Sequence, residues 1–382
     1  LKKIVIVSNK MIMGGIEKSL IELLKNLSYS YDITLILNSF GGELFKKIPK
    51  NINVKKMYDY STIYQHIRNE KNFLNRIDII KKSIQLKYCK TYDEECQLLT
   101  SLYPKVDQEF DIAISYATPI ALSNYYVINN INAKKKIMFI HNDMSMINLS
   151  PFESKELFKY FDIFCAVSLH AKKIFNQYYP QFTEKSIVFN NLVDVENIIY
   201  LSNEKISYHR DKIIHICTVG RVEKEKGQDI IPYVLLTLKS KNIEVIWHIV
   251  GNGSMLNDLR KIAKELGVTN NIVFEGNQSN PYKFMKNCDI YVQTSRQEGY
   301  CITLLEAKIL KKIIITTNFP CAYEHINDKK NGLIVEFDSN EISNAIDLII
   351  NNKEISQKLS ANISSFDYKD DLNVFINLLN KE

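Results

Sequence analysis

DIYVQTSRQEGYCITLLEA, residues 289–307, runs from a strand through a polar loop into a helix. The stretch 289–294 has the length and apolar content of a buried strand, 295–299 is polar and closes on a glycine, and 302–310 returns to helical spacing. A strand feeding a helix in this way is the repeating unit of a parallel sheet covered by helices. It also sets two carboxylates, Glu298 in the loop and Glu306 on the helix, beside the carboxyl end of a strand, where α/β sheets bind their ligands. Gly299 allows close backbone approach, and the free N–H groups at the helix start, near Tyr300 and Cys301, offer an anion site. A diphosphate fits there, and the two carboxylates can accept hydrogen bonds from the vicinal hydroxyls of a sugar or ribose ring. Two glutamates at this spacing are common on any solvated helix, so the reading depends on what stands upstream.

Upstream, an apolar strand at 213–219 runs into GRVEKEKG, residues 220–227. Arg221 presents a planar fork suited to phosphate oxygens, Lys226 adds a mobile point charge, and Gly220 and Gly227 open the backbone. The plain alternative for Lys224, Glu225 and Lys226 is a solvated charged turn. The downstream glutamates favour a binding loop. Strands and helices alternate along the whole chain. In the first half strands are expected at 4–7, 33–38, 112–116, 137–140 and 163–167, with a helix at 16–27. In the second half they are expected at 213–219, 245–250, 272–275, 290–294, 313–316 and 332–335. With 382 residues the chain can bury two cores. The expected fold class is α/β, with two doubly wound Rossmann-like domains, 1–195 and 205–367. The weakly periodic stretch 190–211 is expected to be the linker.

Six segments, in this order, resemble the retaining, GT-B-fold glycosyltransferases of family 4 (glycosyl transferases group 1). Gly14 and Gly15 resemble that family's glycine loop, which approaches the donor diphosphate. His141, in FIHND, resembles its histidine after a strand, near the donor sugar. Arg221 and Lys226, in Gly-Arg-x4-Lys-Gly, match its diphosphate-binding cations. Gly251, in the 250–254 turn, matches its Gly-x-Gly element, and Phe274 and Gly276 its nucleobase edge. Glu298 and Glu306 match its Glu-x7-Glu pair, the first on the donor sugar and the second on the ribose. One departure is NNLVD at 190–194, where the family more often has Asn-Gly-Val-Asp.

The resemblance implies two facing domains with a cleft between them, the second binding the nucleotide and the first the acceptor. The last helix, 368–382 with its apolar residues between 370 and 379, is then expected to return to the first domain. It further implies transfer of a sugar, with retention of configuration, from a nucleotide-diphosphate sugar to a glycan or lipid-linked acceptor in cell-surface polysaccharide biosynthesis. Uridine is chosen over guanosine as the base. No Asp-x-Asp stands at a strand end, so no metal and no cofactor are expected. The competing readings are a non-catalytic sugar-nucleotide or glycan-binding partner of another transferase, and a nucleotide-sugar epimerase of the same fold.

An apolar fraction of 46% and a charged fraction of 24% are ordinary for a soluble globular chain, and a formal charge of +6 comes with no nucleic-acid-reading module. Seven scattered cysteines without metal or disulfide spacing read as reduced thiols of a cytoplasmic protein. The apolar run at 4–7 is too short for a signal peptide and reads as the first strand. No run approaches the ~18 apolar residues needed to cross a bilayer. Contact with the inner face of the plasma membrane would therefore be peripheral. A candidate is a basic amphipathic helix opening at Ile67 and closing on Lys90. There Phe73, Ile77, Ile80, Ile84 and Tyr88 form a stripe flanked by Arg76, Lys81, Lys82 and Lys87. The alternative is an ordinary domain helix with a solvated basic face. His209 and His215 match no motif and read as structural.

Overall fold

The computed structural model describes residues 1–58, 60–119, 121–146, 151–206, 213–363 and 369–381. His209 lies outside the described residues. The chain divides into two compact units, Leu1–Leu192 with Lys369–Glu382, and Val193–Tyr368.

The first unit is built on seven parallel strands: β1 (Lys3–Ser8), β2 (Asp32–Leu37), β3 (Asn53–Lys56), β4 (Glu109–Ser115), β5 (Asn132–Ile140), β6 (Ile163–Ala166) and β7 (Ser186–Val188), in the order β3-β2-β1-β4-β5-β6-β7. The central strands are the apolar runs read from the sequence. Every residue of β1 beyond Lys3 is buried, as expected of a strand covered on both faces. The two outer strands have no such signal: β3 carries the sequence NVKK and is exposed except at a half-buried Val54, and β7 is three residues long. Short, charged edges of this kind resist pairing with other chains. β5 starts well before residue 137, through three lysines. The Lys136 ammonium donates to the carbonyl of Ile128 at 3.2 Å, so the charged half of the strand is tied down by hydrogen bonds.

The final helix, Lys369–Asn380, packs on this unit. Phe375 is fully buried, stacking on Phe189 at 4.4 Å and meeting Phe139 edge-on at 5.8 Å. Lys2 closes its end, donating to the carbonyls of Leu379 and Asn380 at 3.1 Å, the site a cation prefers at a helix C-terminus.

The expected single helix across 67–90 is two. Ile67 belongs to Tyr60–Asn69, and a second helix runs over Phe73–Gln85, followed by a 3-10 turn at Leu86–Tyr88. The break has a local cause. Asn72 takes an extended conformation and its side chain accepts from the N–H groups of Leu74 and Asn75, capping a new helix start. Ile79 is the buried residue of the second helix, whereas Phe73, Leu74, Ile80, Ile84 and Tyr88 face outward, with Phe73 and Tyr88 about three-quarters exposed.

The second unit holds six parallel strands: β8 (Ile214–Val219), β9 (Val245–Val250), β10 (Ile272–Gly276), β11 (Ile290–Gln293), β12 (Ile313–Thr317) and β13 (Leu333–Val335), in the order β10-β9-β8-β11-β12-β13. Trp247, the chain's one tryptophan, is fully buried in β9 and donates to Thr218 Oγ1 at 3.0 Å. His215 joins His248 at 2.9 Å and His248 joins Glu275 at 2.8 Å, a polar chain running across β8, β9 and β10.

Part of the stretch expected as linker is ordered. Val195–Ser202 is a helix whose first turn is capped by Asp194, which accepts from Asn197 N at 3.0 Å. It packs within the second unit, where Asn280 donates to the carbonyl of Leu201 at 2.9 Å. The helix is short and exposes Ile199 and Tyr200 beside buried Ile198, so it lacks a clean apolar stripe. Among the described residues no helix is long and apolar enough to cross a membrane. All seven cysteines are free, and all but Cys89 are buried.

Candidate functional site

Three loops at the carboxyl ends of β8, β9 and β11 are knitted together in the second unit. Val222 N donates to Asn252 O and Met255 N to Val222 O, both at 3.0 Å, so the loop after β8 and the turn after β9 share a short backbone ladder. Ser254 adds its N–H to Glu223 Oε1 at 3.0 Å. Glycine permits this closeness. A Cβ at Gly251, whose φ is +147°, would stand 1.9 Å from the carbonyl oxygen of Gly220. A Cβ at Gly227, with φ +66°, would meet Thr294 O at 2.1 Å. The loop after β11 is fastened by Arg296, which grips Asp229 with two bonds of 2.7 Å, donates to Lys224 O at 2.8 Å and lies 4.2 Å over the Phe337 ring. This bidentate, stacked arginine is a brace that the sequence reading missed, because its partners come from another loop.

The brace places the two cations and the loop carboxylate. Arg221 is largely exposed, and its guanidinium donates to Glu225 at 3.1 Å. Lys226 is mostly buried and its ammonium meets both oxygens of Glu298, at 2.7 and 2.6 Å, with the Glu298 side chain only 8% exposed. Burial, the largest single cause, would lower the Lys226 pKa, but the charge of Glu298 together with smaller causes, its hydrogen bond among them, leaves the value raised. Ser295 Oγ donates to Glu298 Oε1 at 2.7 Å, and Gln293 Nε2 donates to Ser295 Oγ at 2.8 Å. Neither residue was singled out from the sequence. The signal was available in principle, since polar residues at alternate positions of a buried strand are unusual.

Gly299 and Tyr300 lead from Glu298 into the helix Ile302–Ile309, and Cys301, its N-cap, adopts a left-handed conformation with φ +60°, uncommon for a residue with a Cβ. Burial pushes the Cys301 thiol pKa up, so it is a neutral group. His325 Nε2 bonds the carbonyl of Tyr300, and its ring meets that of Tyr300 at 4.6 Å; burial holds its pKa down at about 4. Glu306, expected at the ribose, is 1% exposed and its Oε1 accepts from Tyr282 OH at 2.9 Å. Phe274 is half-buried with the Arg260 guanidinium 4.8 Å above its ring, and Gly276 O accepts from Gly251 N at 2.8 Å. Arg221, Lys226, Gly251, Phe274, Gly276, Glu298, Gly299, Tyr300, Cys301 and Glu306 thus belong to one unit.

Gly14, Gly15 and His141 belong to the other. Gly14 is the N-cap of helix Gly15–Leu27 and a Cβ there would meet the Glu17 carboxylate at 2.2 Å, so that carboxylate sits at the helix start. His141 follows β5, is buried, and stands 4.6 Å from the Tyr116 ring and 5.5 Å from Phe139. Among the described residues neither of its ring nitrogens has a hydrogen-bond partner, and burial holds its pKa at about 3. Two residues on, Asp143 is buried, yet the hydrogen bonds of Ser145 and His170 outweigh burial and hold its pKa below the usual range. Among the described residues no group of three or more His, Cys, Asp or Glu side chains could hold a metal ion.

Residues 202–366 match the family model of glycosyl transferases group 1. The matched span is most of the second unit, Val193–Tyr368. Among curated proteins, the chain is 29% identical over 157 residues to N-acetylgalactosamine-N,N'-diacetylbacillosaminyl-diphospho-undecaprenol 4-alpha-N-acetylgalactosaminyltransferase of Campylobacter jejuni, covering 41% of each chain. It is 26% identical over 200 residues to poly(ribitol-phosphate) alpha-N-acetylglucosaminyltransferase of Staphylococcus aureus, covering 50% of this chain and 40% of that one. The chain therefore spans about two fifths of the length of these relatives. Among solved structures, HepE of Anabaena, in complex with UDP and glucose, superposes with a TM-score of 0.75 at 17% identity, covering 100% of both chains. At that identity the likeness is one of fold: the two units are the two parallel-sheet α/β domains of GT-B structures.

Proposed function

We propose that the protein is a retaining, metal-independent glycosyltransferase of family 4. It moves a hexose from a nucleotide-diphosphate sugar, with uridine as the base, to a glycan or lipid-linked acceptor in cell-surface polysaccharide biosynthesis. The observation that carries this reading is the Lys226–Glu298 pair, a mostly buried ammonium and a carboxylate held at the carboxyl ends of β8 and β11 with exposed Arg221 in the same loop. In the reaction the bond from the anomeric carbon to the diphosphate oxygen breaks, the acceptor hydroxyl bonds the same face of that carbon, and its proton passes to the leaving phosphate. Arg221, Lys226 and the N–H groups near Tyr300 and Cys301 meet the charge gathering on the diphosphate. Glu298 faces the positive charge developing on the sugar, Glu306 serves the ribose, and His141 is the candidate of the first unit. The Anabaena protein's UDP and glucose, and the diphospho-undecaprenol and poly(ribitol-phosphate) in the relatives' names, support the donor and acceptor classes.

A panel of UDP- and GDP-sugars, read by thermal shift and by nucleotide release, tests it. One UDP-sugar is expected to raise the melting temperature and to be slowly hydrolysed, equally well in EDTA, with both effects weakened in Arg221→Ala. Release abolished by EDTA and restored by magnesium would refute metal independence. Failure of every donor to shift the melt would favour a non-catalytic partner subunit.

The helix Phe73–Gln85 supports a peripheral place on the cytoplasmic leaflet. Its outward Phe73, Leu74, Ile80 and Ile84, beside Arg76 and Lys81, form an apolar face rimmed by positive charge, which suits an anionic bilayer. Co-sedimentation with phosphatidylglycerol vesicles at low salt is expected, and to be lost in Phe73→Ser/Ile84→Ser. A wild-type protein that stays in the supernatant removes the membrane assignment.

A further inference from the structure

Glu298 has two kinds of holder, and the proposed reaction removes one of them. Lys226 meets both carboxylate oxygens, yet it is also a cation assigned to the donor diphosphate. An ammonium has three protons, so one that gives two of them to phosphate oxygens keeps a single bond to Glu298 in place of two. A carboxylate aimed by Lys226 alone would lose its direction as the donor arrives. The second holder does not depend on the donor. Tyr291, Gln293 and Ser295 are alternate residues of β11 and its extension, so their side chains share one face. Each is at most 1% exposed. Their hydrogen bonds form a chain: Tyr291 OH to Gln293 Oε1 at 2.7 Å, Gln293 Nε2 to Ser295 Oγ at 2.8 Å, and Ser295 Oγ to Glu298 Oε1 at 2.7 Å.

The direction of that chain is imposed from its end. An ionised carboxylate only accepts, so the single Ser295 proton points at Glu298 and the serine lone pairs must be served by an N–H. That turns the Gln293 amide so that its oxygen faces Tyr291 and Thr303, whose hydroxyls donate to it at 2.7 and 3.0 Å. Thr317 Oγ1, donating to the carbonyl of Ser295 and lying 3.4 Å from that of Gln293, fixes the backbone beneath. We propose that Gln293 and Ser295 are positioning residues that keep Glu298 Oε1 aimed at the reacting sugar while Lys226 engages the donor diphosphate. This rests on the glycosyltransferase reading of the site.

The test uses nucleotide release from the best UDP-sugar by the full chain carrying Ser295→Ala, Ser295→Thr or Gln293→Glu, with the emission of buried Trp247 as a check that the second unit is folded. Ser295→Ala is expected to lower kcat at least about tenfold with the donor KM within about threefold, the pattern of a contact that matters in the transition state. Ser295→Thr, which keeps the hydroxyl, is expected to recover most of the rate. Gln293→Glu places a second carboxylate beside Glu298, and the acid limb of the kcat profile is expected to move up by about one pH unit or more, since two like charges do not ionise together. A purely structural role for Ser295 would leave the kcat of folded Ser295→Ala at the wild-type value. Wild-type kcat in Ser295→Ala together with an unmoved acid limb in Gln293→Glu overturns the inference and leaves the transferase reading intact. Should Ser295→Ala lose the folded Trp247 emission, Gln293→Glu decides alone. A wild-type protein that releases nucleotide from no donor overturns the transferase reading, and this inference with it.

Discussion

Lys226→Met is expected to destabilise the second unit by about 3 kcal/mol and to abolish stabilisation by a UDP-sugar, because removing one member of a buried ion pair leaves the other charge desolvated and unmatched. Glu298 keeps Ser295 in that variant, but one neutral hydroxyl does not replace an ammonium bound to both oxygens. Glu298→Gln is expected to lower nucleotide release by about a hundredfold or more, the scale of a lost charge-stabilising group. Denaturant melts of Lys226→Met, Glu298→Met and the double variant close a thermodynamic cycle. The double variant should be more stable than the sum of the single losses allows, by about 1 kcal/mol or more. Additive losses would mean that the pair contributes nothing as a pair. The sign of the pH dependence follows from the raised Lys226 pKa: its stabilisation is fully present below the ordinary lysine value of 10.5 and is lost as pH rises through the higher folded value.

The opposite end of the pH scale belongs to two histidines. His141 and His325 are buried with pKa values of about 3 and about 4, against an ordinary 6.5, in each case chiefly through burial. A base with a depressed folded pKa leaves the unfolded chain holding more protons between those values. Stability is therefore full above pH 6.5 and falls as pH drops through 6.5 towards the folded value. At pH 4.5 each histidine is expected to remove about 2 to 3 kcal/mol, one from each unit. His141→Phe removes no hydrogen bond made among the described residues, so its stability should stay within about 1 kcal/mol of wild type at pH 7.5. At pH 4.5 it should exceed wild type by about 2 to 3 kcal/mol. Urea melts at the two pH values read this directly, and parallel acid losses in wild type and variant would show that His141 does not titrate on unfolding.

The legible parts of this protein are the ones whose cause is local. Buried parallel strands must be continuously apolar, which is why β1, β2, β8, β9 and β12 stand out, and the glycines at 227 and 251 mark places where no Cβ fits. Edge strands are less constrained: β10 and β13 kept a readable apolar run, whereas β3, with the sequence NVKK, and β7, three residues long, did not. The Asn72 cap that splits the 67–90 stretch was local and readable, but the continuing apolar spacing masked it.

In the site, the residue types and their order along the chain came from the sequence: Arg221 and Lys226 after one strand, Glu298 and Glu306 around another. What each side chain touches did not. Lys226 and Glu298 are 72 positions apart, Arg296 and Asp229 are 67 apart, and Glu306 faces Tyr282 inside its unit. Those pairings are made only when parallel strands bring the ends of β8 and β11 side by side. Sequence by itself therefore determined the alternating α/β order and the chemical inventory of the loops, because periodicity and glycine content act over a few residues. Tertiary structure alone decided which carboxylate meets which cation and which polar groups are dry, because hydrogen bonds and burial are set by neighbours in space.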